Sequence, residues 1–203
     1  MQGVMRQYSL PNDIISFMSY LVMVPWQIWA IICALLFCWA TAKPVKHRWR
    51  ILQADKKLKM LIAIGQESGP QCQFGYLRSK SVNPYTFEEM ILTALHSRKL
   101  KIRRSIRYSG DGGIDGRVWA NGQLILIQAK LYSGYIKPQQ VREFRSICKK
   151  QKALAIFCHS GKSGPSSREL ISKDFDIVSG ERMLRLLCGR TVTLFPNGIK
   201  LAV

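Results

Sequence analysis

The sequence predicts an α/β domain, a mixed sheet flanked by helices, preceded by a single transmembrane helix. Three observations predict it. From residue 84 onward, helical and strand-like apolar patterns follow in the order helix, strand, hairpin, helix, strand, helix, strand, helix. Asn121-Gly122 lies between two apolar runs. Asn-Gly is a strong hairpin signal because a type I′ turn needs positive φ at both central residues. No charged residue occurs from Ile14 to Ala42. These patterns divide the chain into a tail (1–13), a membrane-spanning segment (14–42), a basic juxtamembrane region and linker (43–83) and a main domain (84–203).

Leu21 to Ala40 is dense in Val, Ile, Leu, Phe and Trp. A span needs about 20 mostly apolar residues. Pro25 and Gln27 fit an interface or a kink, and Trp26, Trp29 and Trp39 suit interfacial belts. Ala40-Thr41-Ala42 also looks like a signal-peptide cleavage site. Against a signal stand the single leading base, the long apolar run and the bases that follow at once. A buried core helix is a third reading, but such helices usually show a polar stripe.

Lys43, Lys46, Arg48 and Arg50 come next, with His47 among them. The positive-inside rule then keeps everything beyond them in the cytoplasm, at a bacterial inner membrane. The stretch Lys43 to Arg50 also suits anionic headgroups, at about 1 kcal/mol per base. Residues 48–64 mix bases with Trp49, Ile51, Leu52, Leu58, Leu61 and Ile62. They fit either an amphipathic helix on the membrane or a helix packed into the domain. Gly65 to Pro70 reads as a break, and 71–83 as a polar linker. Tyr76, Arg78 and Lys80 in that linker are also candidate nucleic-acid contacts.

Net charge is +19. Arg6 and Asp13 cancel, so residues 43–203 carry the whole excess, 30 basic against 11 acidic residues. A surplus that one-sided implies a polyanionic partner, either nucleic acid or an anionic membrane surface. The six cysteines form no Cys-x-x-Cys and the three histidines are scattered, which argues against zinc. Reduced thiols in a cytosolic domain are expected.

In the main domain, Thr86 and Glu89 read as a capping box, followed by an apolar stripe of Phe87, Ile91, Ala94 and Leu95. Glu88 lies at the edge of that stripe. On residues alone, it is an acid favoured by the positive helix N-terminus. Leu100 to Ile106 reads as a strand with one wet, basic face. Pro138 opens a helix to Lys150, with Val141, Phe144 and Cys148 inside and Arg142, Arg145, Lys149 and Lys150 outside. Ala153 to Cys158 reads as a buried strand in a βαβ unit. The loop 159–164 holds Gly161-Lys162-Ser163 but lacks the earlier glycine of a P-loop. A short helix near Ser166 to Ile171, a strand Phe175 to Val178 and a helix Glu181 to Leu187 capped by Ser179 follow. One or two edge strands are expected around Pro196-Asn197-Gly198.

The hairpin fixes a register. With Asn121 and Gly122 as the loop, Ala120 pairs with Gln123 and Asp115 falls opposite Gln128. Alternation puts Gln128 and Lys130 on one face, and Asp115 joins them there. Asp115 can bind a hard divalent cation, with the Gln128 oxygen as a further ligand. Lys130 can position a water or stabilise charge on a phosphate. The plainer reading is a surface Asp–Lys pair, which is common and weak. Two features favour the cluster: Gly112-Gly113 permits a close backbone approach, and Leu124 to Ile127 make the strand apolar enough to half-bury its polar end. Asp111 is either a turn residue or a group facing the substrate.

Asp115 followed by Gln128-x-Lys130, with Phe87-Glu88 opening the preceding helix, resembles the Mrr-like restriction endonucleases. These form a branch of the PD-(D/E)xK nuclease superfamily in which Gln replaces the second acid. The resemblance runs from about Pro84 to Leu187. It implies a restriction-endonuclease-like sheet. It implies a catalytic set of Asp115, Gln128, Lys130 and Glu88, with Asp115, Gln128 and Glu88 holding Mg²⁺ (Mn²⁺ as a substitute). It also places the loop of Tyr132, Tyr135 and Lys137 near the phosphodiester. Tyr132 and Lys137, with Arg142 and Arg145 of the next helix, are the expected DNA contacts. The chain departs from the family pattern at Ser179-Gly180, where Asp-Gly is usual, and at Cys158-His159-Ser160, where a Thr-rich strand end is usual. The function expected is a membrane-anchored, Mg²⁺-dependent endodeoxyribonuclease acting on foreign or modified DNA, in which a homodimer is admissible. Two other classes stay open: a non-cleaving, membrane-tethered DNA-binding component of a DNA-transfer or conjugation apparatus, and a membrane-surface scaffold.

Overall fold

A computed structural model describes residues 25–105, 113–196 and 198–201. The chain divides into two compact units, with the boundary between His47 and Arg48. Helix α1 (Trp26–Glu67) contributes to both. In the first unit its side chains are solvent-facing, with Trp26, Ile28, Trp29, Ile31, Ile32, Leu35, Leu36 and Phe37 all exposed. Among the described residues no helix is long and apolar enough to cross a membrane. Residues 14–24 of the expected span, and the side chains of 39–42, lie outside the described residues.

The second unit is a three-layer α/β arrangement. A five-stranded sheet runs β1 (Lys101–Arg104), β2 (Gly116–Ala120), β3 (Gln123–Lys130), β4 (Leu154–His159), β5 (Phe175–Val178), in that spatial order. β1, β2 and β3 are antiparallel, whereas β3, β4 and β5 are parallel. The sheet is therefore mixed, as the order of patterns predicts. Asn121 and Gly122 both take positive φ, 51° and 77°, and Ala120 pairs with Gln123. The predicted hairpin register is the observed one.

Alternation along β3 sends Ile125, Ile127 and Ala129 into one core and Leu126 into the other. The first core is covered by α3 (Pro84–His96) and α6 (Gly180–Leu187), the second by α4 (Pro138–Lys150), with the short α5 (Pro165–Arg168) between β4 and β5. In the second core Phe144 meets Phe157 and Phe175 at ring centroid separations of 6.1 Å, within the range of favourable tilted contacts. Asp176 is buried and takes a two-pronged ion pair from Arg182 (2.6 and 3.1 Å), and it accepts a 2.7 Å bond from the Phe195 N–H. That satisfies a buried charge that would otherwise be costly.

The structure corrects several sequence expectations. Helix α3 is capped by Asn83, whose side chain accepts from the Thr86 N–H at 2.8 Å, with Pro84 in the first turn. The Thr86–Glu89 capping box does not form. Glu89 is instead buried and paired with Arg104 at 2.9 Å. The expected linker at 71–83 is largely helix α2 (Gly69–Arg78), which follows a break at Ser68 and buries Gln73 and Leu77. For residues 48–64 the packed reading holds, since Ala54, Leu58 and Leu61 lie in the first core. Leu58 and Leu61 of that apolar set are taken up by the domain, whereas Trp49 and Leu52 are exposed. At the C-terminus, β6 (Val192–Leu194) and β7 (Ile199–Leu201) pair with each other rather than extending the main sheet.

Leu61 is fully buried while Leu52 is exposed on the same helix. Leu61→Ala should lower unfolding stability by about 2–5 kcal/mol through cavity formation. Leu52→Ala should stay within about 0.5 kcal/mol. Urea unfolding of the two variants checks this, and equal effects would mean that α1 does not share the domain core.

Candidate active site

The site is built on strand ends. Asp115 precedes β2, and its N–H donates to the Ile127 carbonyl at 2.9 Å. Its carbonyl accepts from Ser105 N–H at 3.0 Å. The backbone is thus held on both sides, one pair beyond Gly116–Ile127, which places Asp115 opposite Gln128. Its carboxylate Oδ2 accepts a 2.7 Å bond from the Ala129 N–H. Lys130 ends β3, half-buried, beside His159 of β4.

Gln128 is buried, and the reason is steric. Gly113 has φ +80°, and a Cβ there would sit 2.1 Å from Gln128 Nε2. The glycine lets the amide nitrogen lie flat against the loop. The other end of the amide, Oε1, is fully enclosed and has no hydrogen-bond donor among the described residues. Buried amide oxygens normally find a donor or a cation.

Glu88 comes from the opposite layer, on the first turns of α3, half-buried. Its carboxyl is pushed up to about 7, first by burial and then by the Asp115 charge, while Lys130 and Arg50 pull the other way. The Asp115 carboxyl is pushed up to about 6, mainly by burial, opposed by the Ala129 N–H and by Lys130. Two carboxyls close enough to repel, both resisting ionisation, form a place that favours an added cation. Glu89, the neighbouring acid, is paired with Arg104 and adds a smaller upward push on Glu88.

The donor set fits a hard divalent ion. Among the described residues no group of three His, Cys, Asp or Glu side chains is assembled. What the site offers is two carboxylates close enough to repel and, opposite Asp115, an enclosed amide oxygen, the oxygen chemistry of Mg²⁺ or Mn²⁺ rather than zinc.

The expected DNA contacts are placed unequally. Lys137 precedes α4 and is exposed, and Arg142 is exposed on that helix. Arg145 is half-buried: it donates to Ser172 Oγ at 3.3 Å and lies over the Phe175 ring. The Tyr132 hydroxyl donates to Gln140 Oε1, and the Tyr132 backbone exchanges two 2.8 Å bonds with Ser160 Oγ. Both residues thus hold the loop and helix in place. Asp111 lies outside the described residues.

Two arginines that the sequence assigns elsewhere, Arg78 as a candidate nucleic-acid contact and Arg50 in the basic run after the apolar segment, stand at this edge. Arg78 of α2 donates to the Ser160 carbonyl at 3.1 Å, and the Ser160 N–H bonds Lys130 O at 3.3 Å. Arg50 of α1 lies over the Tyr85 ring at 5.6 Å and acts on Glu88. Neither had a signal beyond positive charge. The sequence pattern puts His159 in a loop, whereas it ends β4. It is fully buried, its Nε2 bonds Ser163 Oγ at 2.9 Å, and burial lowers its ionisation to about 4. It is a neutral strut at neutral pH.

A mixed five-stranded sheet with an acid, an amide and a lysine at one strand end, faced by a helix glutamate, is the arrangement expected from the resemblance to the nucleases. The family model for the restriction endonuclease catalytic domain of Mrr type matches residues 79–187, more than half the chain, and the chain belongs to that family. Nothing among the curated proteins matches it. The match supports a restriction-type DNA endonuclease domain, a hydrolase with DNA as substrate.

The raised carboxyls set a pH dependence. Glu88 and Asp115 bind protons more tightly folded than unfolded, so their contribution to stability is fullest below the ordinary carboxylate range and declines as pH rises toward about 6 for Asp115 and about 7 for Glu88. Chemical denaturation in chelator from pH 4 to 8 should show that decline, and Glu88→Gln should flatten its upper part. A slope unchanged by Glu88→Gln would contradict it.

Proposed function

We propose that this chain is a membrane-anchored, metal-dependent endonuclease that hydrolyses foreign or modified DNA. The observation that carries the reading is the mutual push of the Glu88 and Asp115 carboxyls beside Lys130, with the enclosed Gln128 oxygen left without a donor opposite Asp115. Asp115, Gln128 and Glu88 would hold the cation. When bound, Mg²⁺, or Mn²⁺ in its place, supplies Lewis-acid polarisation of the scissile phosphate.

The protein's own groups do the rest. The Lys130 ammonium, at the end of β3, orients the attacking water and donates to a phosphate oxygen as negative charge develops there. The water oxygen bonds to phosphorus and sheds a proton to solvent, one phosphorus–oxygen ester bond breaks, and the departing sugar oxygen takes a proton from solvent. The Ala129 N–H holds the Asp115 carboxylate in one orientation throughout. Lys137 and Arg142 are exposed and track the backbone of the substrate. Cutting both strands of a duplex calls for two sites, which two copies of the chain would supply.

Anchoring is supported by the uncharged run from Ile14 to Ala42 and by the exposed apolar side chains from Trp26 to Phe37. A patch of that kind calls for lipid or another apolar cover. The basic residues after it orient the nuclease domain toward the cytoplasm of a bacterial inner membrane. Attachment would confine cutting to DNA entering at that membrane.

The test uses the full chain with Mg²⁺ or Mn²⁺ and a panel of unmodified and methylated duplexes, single strands and RNA. Metal-dependent DNA cleavage should sediment with membranes and should fall by about 10²–10³-fold in Lys130→Ala and in Asp115→Ala. A chain lacking residues 1–42 should move to the supernatant. Cleavage that survives both substitutions sinks the site assignment. Tight binding without cleavage on every substrate sinks the enzyme in favour of a tethered DNA-binding component.

A further inference from the structure

The parallel strands β3, β4 and β5 all end on the side of the sheet that carries Lys130. In sheets of this kind ligands collect outside the carboxyl ends of parallel strands. Beyond the ends of β4 and β5 lies an open cleft of about 430 Å³. Its polar lining includes Tyr135, Lys162, Ser163, Arg168, Ser179 and Arg182. We propose that this cleft seats a second backbone phosphate of the strand whose scissile phosphate lies at Lys130, a proposal that rests on the nuclease reading above.

The chemistry of the lining is that of a phosphate site. Arg182 is committed to Asp176. Lys162 and Arg168 are exposed, and neither forms a salt bridge among the described residues, so the cleft keeps a net positive charge. Hydroxyls stand beside the charges. Ser163 is held by His159 at 2.9 Å and lies 3.5 Å from the Ser179 hydroxyl, which makes no cap hydrogen bond to its own helix. Tyr135 is 69% exposed, with the Lys162 ammonium 6.0 Å from its ring centre, so a flat apolar face sits next to the cation. Aromatic faces next to cations suit the bases and phosphates of a nucleic-acid strand.

The cleft is also wired to the site. The loop that leaves Lys130 is clamped to the loop that carries Lys162: Lys162 N–H donates to Gly134 O at 2.9 Å, and Ile136 N–H to Lys162 O at 3.0 Å. Gly161 makes this approach possible, because a Cβ there would stand 2.3 Å from the Gly134 carbonyl oxygen. Two strand spacings separate β3 from β5, about 10 Å. That is within the reach of neighbouring phosphates along one strand.

The test measures binding without cutting. A fluorescein-labelled duplex is titrated with the full chain in chelator over a potassium chloride series, read by anisotropy. Lys162→Gln with Arg168→Gln keeps the side-chain stems and removes both charges. The slope of log affinity against log salt should fall by about 1, for the one phosphate no longer neutralised. Lys149→Gln with Lys152→Gln removes the same charge from the cleft at the opposite end of β3 and β4 and should leave the slope unchanged. Equal reductions of slope in both pairs, or none in the first, would overturn the proposal. So would calorimetric binding of inorganic phosphate that needs Lys162 while the DNA slope does not. If the Lys162–Arg168 pair lowers the slope in a chain that cuts no DNA with any metal, the enzyme reading fails and the phosphate seat stands.

Discussion

A carboxylate facing a second carboxylate needs a donor that cannot move away. Here it is the Ala129 N–H, which holds Asp115 Oδ2 at 2.7 Å. That bond exists only because the β2–β3 register places Asp115 one pair past Gly116 and Ile127. A slip of one residue would turn Gln128 and Lys130 into the core under α3 and bring Ile127 and Ala129 to the site. The turn at Asn121-Gly122 and the apolar faces of β3 both resist such a slip. The chemistry at the strand ends thus depends on packing further along the same strands, and the cost of crowding two acids is borne by a core that fixes the register.

What could be read in the sequence follows from this. The hairpin is local: two turn residues with positive φ and a count along two strands put Asp115, Gln128 and Lys130 together. The mixed sheet was legible because helix and strand periods alternate in order. The start of α3 was not, because Asn83 and Thr86 both satisfy the chemistry of a cap, and only the tertiary pull of Arg104 on Glu89 decides between them. Helix α2 was hidden by composition. Its ten residues bury only Gln73 and Leu77, too few to make a period. The roles of Arg50, Arg78 and His159 arise from contacts that no local pattern could announce. Arg78 meets the Ser160 carbonyl from across the chain, and His159 owes its neutrality to burial in the folded domain.

The segment before the family-matched region does more than lead up to it. Its helices close the first core through Ala54, Leu58, Leu61 and Leu77, and they bring Arg50 and Arg78 to the edge where Glu88 and Lys130 stand. The apolar residues of the first unit have a different character: from Trp26 to Phe37 the large ones are exposed. The chain reads as a catalytic domain with its own helical support and a separate apolar lead.

Asp115, Gln128 and Glu88 are proposed to assemble a cation site. Its most direct measurement is Mn²⁺ binding by electron paramagnetic resonance on the full chain without DNA, which reads the ion rather than the reaction. The account predicts a bound Mn²⁺ whose affinity is lost in Asp115→Ala and weakened in Gln128→Leu, with affinity rising as pH passes through about 6 to 7, where the two carboxyls ionise. Binding that is indifferent to both substitutions, or flat across that pH range, would contradict it.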